Sequence, residues 1–116
     1  MKFDDIVEAL NARVITKSTT FDDCVAESVI VSDLMSDVLM MEKPAPLLVT
    51  SLSSDQVIRT ASMVDAAGVL MAQNKPLPDK VAKLAEELDI TLLHTSLAKF
   101  ESCVLLGKLM EREAVA

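Results

Sequence analysis

Two serine–aspartate pairs, one helical turn apart, carry the first candidate chemistry of the chain. Ser32-Asp33 and Ser36-Asp37 occur in the stretch VIVSDLMSDVLMM, where an apolar run changes into a helical pattern. Carboxylates four residues apart share one helix face and could bind a cation. Two carboxylates are too few ligands for a calcium site, and a magnesium ion would need phosphate or water to complete its coordination shell. The alternative is an N-cap at Ser32 or Asp33 with Ser36 and Asp37 in the first turn.

A hydroxyl-rich segment is the second candidate. It follows an apolar run and has the sequence TSLSS, with Thr50, Ser51, Ser53 and Ser54. Ligands of open α/β sheets bind at the carboxyl ends of strands, and helix N-termini offer N–H groups to anions. The hydroxyls could hold a small anion, or Ser53 and Ser54 could simply cap a helix. The segment lacks the glycine-rich cradle and lysine of a P-loop, which disfavours a nucleoside triphosphate site.

His94 is the third candidate and the only histidine in the chain. It lies at the end of the apolar segment ITLLHT, which is again the carboxyl end of a predicted strand. A catalytic triad needs a nucleophile and an orienting acid near the histidine, and the sequence supplies neither close by. A buried structural histidine is the alternative interpretation.

The elements that position these residues alternate along the second half of the chain. From Leu47 onward, short apolar strand patterns alternate with helical patterns, which predicts right-handed crossovers and a parallel sheet covered by helices. The first half adds an opening helix, a strand at RVITK and a strand in CVAESVIVS. We therefore predict a single α/β domain over residues 1–116, with a mainly parallel sheet of four or five strands flanked by helices.

Three details of the helices are also predicted. One helix is predicted from Asp33 to Met41. A second helix is predicted to end just before Gly68, and Ser96 is predicted to cap the last helix of the chain. The last helix should pack on the sheet through an apolar stripe that consists of Leu97, Phe100, Val104, Leu105 and Leu109. Gly107 in that helix costs about 1 kcal/mol relative to alanine and favours close packing of another element, such as a second subunit.

Composition excludes several classes of protein. A net charge of −7 and an aromatic content of 3% disfavour nucleic acid as a partner. No apolar run approaches the roughly 20 residues that span a bilayer, and the acidic N-terminus lacks an export signal. Two distant cysteines, Cys24 and Cys103, indicate neither a disulfide scaffold nor a zinc site. We expect a cytoplasmic location, no membrane partner, no metal and no cofactor.

The segments VSDLMSDVL and PAPLLVTSLSSDQVIRTASMVDAAGVLMAQNKPLPDKVAKLAEELDITLLHTSLAKFES resemble the DRTGG-domain family over nearly the whole chain. The family resembles the N-terminal domains of HPr kinase/phosphorylase and of the Mur ligases, and it accompanies CBS domain pairs or the N-terminal part of phosphotransacetylases. The resemblance implies an accessory or regulatory module without established catalytic activity.

The segment that gives the family its name is degenerate here. Where the family pattern has an arginine and two glycines, this chain has DDCVAES from Asp22 to Ser28. Glu27 and Ser28 lack the backbone freedom of glycine, and the lost arginine is a natural anion-binding group. Whether this segment keeps any binding role that it has in relatives stays open at this point.

The function predicted from these observations is a noncatalytic regulatory or accessory module that binds a partner protein or a small anionic metabolite. Its ligand-binding residues are drawn from the three candidates: Ser32, Asp33, Ser36, Asp37, Thr50, Ser51, Ser53, Ser54 and His94. We also expect a homodimer, because of the family likeness and a surplus of apolar side chains, which are Met40, Met41, Leu105, Leu106 and Met110.

Two alternatives remain open. An enzyme acting on a phosphorylated or acyl metabolite would bring Asp33, Asp37, Ser54 and His94 together in one pocket. A structural subunit of a larger complex would instead show no pocket and a large exposed apolar patch.

Overall fold

The computed structural model describes residues 1–73 and 75–114, and strands and helices alternate in it from residue 28 onward. In these residues the elements are, in chain order, α1 (Phe3–Leu10), β1 (Arg13–Thr16), β2 (Ser28–Val31), α2 (Met35–Val38), β3 (Pro46–Thr50), α3 (Asp55–Met63), β4 (Gly68–Met71), α4 (Asp79–Glu87), β5 (Leu92–His94) and α5 (Lys99–Ala114). Asn74, Val115 and Ala116 of the predicted domain lie outside the described residues.

The strands form one five-stranded sheet in the order β1-β5-β4-β3-β2. β2, β3, β4 and β5 are parallel neighbours, as the alternation of strands and helices predicted. β1 pairs antiparallel with β5, so the sheet is mixed and the prediction of a mainly parallel sheet is corrected. The hydropathy of the sequence does not indicate the direction of β1, because β1 is a half-exposed edge strand of four residues.

Each face of the sheet carries its own apolar core, because successive side chains of a strand point to opposite faces. One face, with Leu48, Val69 and Leu92, packs against α2, α3 and α4. The other face, with Leu47, Val49, Leu70 and Leu93, packs against α1 and α5. β3 and β4 are therefore buried on both sides, which explains their continuous apolar sequences.

α5 faces the sheet with a different side from the predicted one. Its buried residues are Ser102, Leu106 and Leu109. Of the predicted stripe only Leu109 is buried, whereas Phe100 is 75% exposed and Val104 40% exposed. Two apolar stripes share this helix, and the one with Leu106 and Leu109 meets α1 and the sheet. Leu106, predicted as surplus surface, is thus part of the core.

Gly68 is not the end of α3 but the first residue of β4. A Cβ atom added at Gly68 would lie 2.8 Å from Cε1 and Cζ of Phe3 and 3.1 Å from the Thr91 carbonyl oxygen. Glycine is needed here because the Phe3 ring lies directly against the strand. After α3, Asp65 instead takes the left-handed conformation with φ of 52°.

Candidate functional site

The carboxyl ends of β2, β3, β4 and β5 lie at one edge of the sheet because these strands are parallel. We call this edge, with the residues that follow each strand, the carboxyl rim: residues 32–34, 50–54, 72–73 and 94–99. Thr50 pairs with Met71, which pairs with His94, so the TSLSS segment and His94 share the rim as predicted. No helix among the described residues is both long and apolar enough to cross a membrane.

Backbone hydrogen bonds between neighbouring segments order the rim. The Ser32 amide donates to the Val49 carbonyl at 3.1 Å, and the Ala72 amide donates to the Thr50 carbonyl at 2.8 Å. The Gln73 amide donates to the Leu97 carbonyl at 2.7 Å. Side chains on the rim are therefore presented from a well-connected backbone.

Asp33 is the centre of the densest polar cluster on the rim. Its carboxylate accepts hydrogen bonds of 2.8 Å from the Thr50 hydroxyl, the Ser51 amide and the Ser51 hydroxyl. The Lys99 ammonium group also donates to it and forms an ion pair. The cluster thus connects the segments after β2 and β3 to the first residue of α5.

This environment determines the charge of Asp33. Partial burial raises the pKa of the carboxyl group, but the hydrogen bonds from Lys99, Ser51 and Thr50 lower the pKa by more. The net result is a pKa well below the ordinary value, so Asp33 is a carboxylate at neutral pH. Four protein donors already satisfy it, which makes Asp33 a link between segments and leaves little capacity for a cation.

The capping interpretation of the serine–aspartate pairs is therefore wrong for Asp33. Leu34 is the N-cap residue of α2, and no side chain caps that helix. The Ser32 hydroxyl instead accepts a hydrogen bond of 3.0 Å from the Leu34 amide in a local turn. Ser36 and Asp37 are exposed on the short helix.

The serines before α3 do not cap it either. Ser54 occupies the N-cap position without a side-chain hydrogen bond to the helix, and Ser53 is partly buried beside it. The Ser54 hydroxyl is buried and has no hydrogen-bond partner within the described residues. In residues 1–73 and 75–114, no group of three or more His, Cys, Asp or Glu residues could hold a metal ion.

His94 belongs to a second polar cluster, with Arg13 of β1. His94 is only 6% exposed, and the Nδ1 atom of its imidazole lies 2.8 Å from Nη2 of Arg13. A guanidinium only donates, so Nδ1 must accept this hydrogen bond. The ring proton of a neutral His94 is then on Nε2. The antiparallel register of β1 and β5, which places Arg13 opposite His94, creates this pair.

A cavity of about 420 Å³ opens beside this pair and is lined by Asn11, Ala12, Arg13, His94 and Ser96. Its size is within the range of small-molecule sites. Arg13 is exposed and forms no ion pair in the part of the chain that the structure describes. Arg13 has five N–H donors and uses one of them for His94, so the others remain for an acceptor in the cavity.

A second groove, of about 380 Å³, has the wrong chemistry for an anion. It lies between β1 and α4 and combines Lys17 and Lys83 with Asp79 and Glu86. These opposite charges offset one another. Of these two cavities, the one beside Arg13 is therefore the better match for a small anion.

Arg13, Asn11, Ser96 and Lys99 were missed as candidates by sequence reasoning. Arg13 is 81 positions from His94 along the chain, and only the pairing of β1 with β5 brings them together. Lys99 had a weak signal, because it follows the last strand and starts a helix at the rim. Ser96 does not cap α5, which begins at Lys99.

Together, the fold and the rim define an α/β module with a ligand-sized polar cavity. The sequence profile of the DRTGG domain matches residues 5–109, so the chain belongs to the DRTGG domain family. A comparison with curated proteins gave no match.

A solved structure with the same fold is the crystal structure of the CBS and DRTGG domains of the regulatory region of Clostridium perfringens pyrophosphatase, complexed with its activator, diadenosine tetraphosphate. The TM-score is 0.75 at 12% sequence identity, and the match covers 90% of this chain and 45% of that chain. This chain therefore spans less than half of that regulatory region.

Residues 22–28, which end at the first residue of β2, have a backbone without left-handed geometry. No residue from Asp22 to Ser28, all of which are described, has a positive φ. The Ala26 amide donates to the Met1 carbonyl, and the Glu27 amide donates to the Ala45 carbonyl. Backbone hydrogen bonds therefore fix this segment, and Glu27 and Ser28 adopt a backbone that does not require glycine.

Proposed function

We propose that this DRTGG-family chain is a noncatalytic regulatory module that binds a small anionic ligand, of phosphate or polyphosphate type, in the cavity beside Arg13 and His94. The observation that carries the proposal is the exposed Arg13 guanidinium, which lines a cavity of about 420 Å³ without a carboxylate partner in the described chain. Guanidinium donors match phosphate oxygens in geometry and charge.

The other lining groups support the same ligand chemistry. The Ser96 hydroxyl and the Asn11 side-chain amide can donate hydrogen bonds to phosphate oxygens. The structurally similar regulatory region is complexed with diadenosine tetraphosphate, which is itself a polyphosphate. The net charge of −7 restricts favourable anion binding to a local site such as this one.

The rest of the rim is less suited to an external anion. Lys99, a cation that also lies on the rim, already pairs with Asp33. The hydroxyls of Thr50 and Ser51 also donate to that carboxylate. An anion would have to displace Asp33 from these donors, so of the predicted binding residues we favour His94 for direct ligand contact.

Noncatalytic action is supported by the separation of the polar groups that an enzyme would need together. His94 lines its cavity without Asp33, Asp37 or Ser54 among the lining residues. Its Nδ1 accepts a hydrogen bond from Arg13, whereas a catalytic histidine is oriented by an acceptor such as a carboxylate. A purely structural subunit has no need of a polar ligand-sized cavity.

The proposal extends to assembly and location. We infer that the protein forms a homodimer and that residues 1–116 are a single domain. We also infer a cytoplasmic location, where both free cysteines would stay reduced. The likeness to the N-terminal domains of HPr kinase/phosphorylase and Mur ligases, and the degeneracy of the segment that gives the family its name, are part of the same hypothesis.

Thermal-shift measurements test the ligand chemistry. The purified protein is heated with inorganic phosphate, pyrophosphate, acetyl phosphate, adenine nucleotides and diadenosine tetraphosphate, at matched ionic strength. A ligand at about 100 times its Kd stabilises the folded state by about 2.7 kcal/mol. We expect at least one phosphate compound to raise the Tm of the wild type.

Two arginine variants locate the effect. Arg13→Ala should abolish the shift, and Arg59→Ala, which removes an exposed arginine of α3 that does not line the cavity, should retain it. If no phosphate compound raises the Tm, or if Arg13→Ala responds like the wild type, the proposed site is wrong.

A further inference from the structure

We propose that the exposed face of α5 is the contact surface of a homodimer, in which α5 packs antiparallel against α5 of a second copy. This proposal rests on the homodimer inferred above and assigns its surface. The exposed face carries Phe100, Glu101, Val104, Gly107, Lys108 and Glu111, which recur at helical spacing on the side opposite the buried residues.

Gly107 is unexplained by the packing of a single chain. It lies inside α5, and a Cβ atom added there would meet no atom within 4 Å. Glycine inside a helix costs about 1 kcal/mol relative to alanine, and here no neighbour in the described chain requires its small size. A helix of another molecule that approaches this face would make use of the missing side chain.

Phe100 supplies the matching projection. It is 75% exposed, although it is the largest apolar side chain of the helix. Phe100 and Gly107 are seven positions apart, so they lie on the same face two turns from each other. In an antiparallel pair with its two-fold axis near Val104, each Phe100 covers Gly107 of the partner subunit. Such reciprocal contacts are required of a symmetric interface.

Charge complementarity selects a second copy as the occupant. Glu101 and Lys108 are also seven positions apart and nearly centred on Val104. The same two-fold axis places each Glu101 beside Lys108 of the partner subunit. The Phe100 side chain and the space at Gly107 are therefore arranged about the same point as the charges of Glu101 and Lys108. A two-fold symmetric dimer requires this arrangement, whereas binding of an unrelated protein does not.

Molar mass over a range of protein concentrations, measured without ligand by sedimentation or light scattering, tests this surface. We expect a concentration-dependent dimer for the wild type. In Gly107→Gln, the new side chain meets no atom of its own chain, and glutamine has a higher helix propensity than glycine. The same side chain would occupy the space that Phe100 of the partner subunit fills in the dimer. It should weaken association tenfold or more, about 1.4 kcal/mol, while circular dichroism stays unchanged. Phe100→Ser should act likewise.

Matched variants complete the test. Met63→Ser removes a side chain that is 70% exposed on α3 and should leave the dimer intact. Glu101→Lys and Lys108→Glu should each weaken the dimer, and the double variant should restore it. A dimer that survives Gly107→Gln and Phe100→Ser overturns the surface but not self-association. A wild type that is monomeric at all concentrations overturns both, whether or not phosphate compounds bind.

Discussion

Asp33 and Lys99 form an ion pair across the carboxyl rim, although 66 positions separate them in the sequence. With Thr50 and Ser51, the pair joins three segments that the chain order keeps apart. It also keeps Lys99 from acting as an anion-binding group. The structural cluster around Asp33 is thus separate from the open cavity beside Arg13, which neither Asp33 nor Lys99 lines.

Asp33→Asn should destabilise the fold. Asparagine keeps the shape but loses the charge that Lys99 and the Ser51 amide require. Hydrogen bonds to charged groups contribute about 1.5–3 kcal/mol, and solvent screening reduces that for a side chain that is 37% exposed. We expect a loss of about 1–2 kcal/mol in the free energy of unfolding by urea denaturation. Asp37→Asn, at an exposed position of α2, is the control and should change little.

The contribution of Asp33 should depend on pH. Its hydrogen bonds hold the pKa of the folded state below the ordinary value, whereas the unfolded chain titrates near 3.9. Between the two pKa values, the unfolded state therefore binds more protons than the folded state. The contribution of Asp33 to the free energy of unfolding is fully present above about pH 4 and is lost as the pH falls through and below that value. Wild type and Asp33→Asn should converge in stability in acid. A difference that stays constant from pH 7 to pH 3 would contradict this.

Gly68→Ala should be strongly destabilising, because the new Cβ atom would lie 2.8 Å from the Phe3 ring. Phe3 is buried and stacks on Phe21, with 5.3 Å between ring centroids, so it has little room to move. Overpacking of this kind costs about 1–3 kcal/mol. Gly107→Ala, measured where the chain is monomeric, is the control and should be stabilising by up to about 1 kcal/mol. Equal Tm values for the two variants would refute the packing argument.

Ser102→Ala should stabilise the fold. The Ser102 side chain is fully buried, and its hydroxyl has no hydrogen-bond partner in the described residues. An unpaired buried hydroxyl costs about 1–3 kcal/mol, part of which is recovered when it is removed. Ser62→Ala, at an exposed position of α3, measures the helix propensity alone. We expect Ser102→Ala to raise the Tm by more than Ser62→Ala does; a smaller rise would indicate that the hydroxyl is satisfied.

The sequence predicted the parallel part of the sheet because β3, β4 and β5 are apolar and separated by amphipathic helices. It could not predict β1, because a half-exposed strand of four residues carries no signal of its direction or partner. The Arg13–His94 pair depends on that direction, so the cavity beside it was beyond sequence reasoning. His94 alone was found, since it ends an apolar strand.

The helices show a similar limit. In α5, apolar residues lie on two faces, one with Phe100 and Val104 and one with Leu106 and Leu109, and tertiary packing buries the second face. At Asp33, a helix cap and a link between segments use the same side chain. The choice depends on Lys99, whose position relative to Asp33 is a property of the folded chain.

The most direct test of the proposed function uses the fact that His94 is the only histidine in the chain. Its ring signals in a ¹H–¹⁵N NMR spectrum are therefore unambiguous. Titration with pyrophosphate or diadenosine tetraphosphate at constant ionic strength should shift these signals saturably in the wild type and in Arg59→Ala, and should leave them unchanged in Arg13→Ala. Ring signals that do not move in the wild type, or that move equally in Arg13→Ala, would contradict anion binding at this cavity.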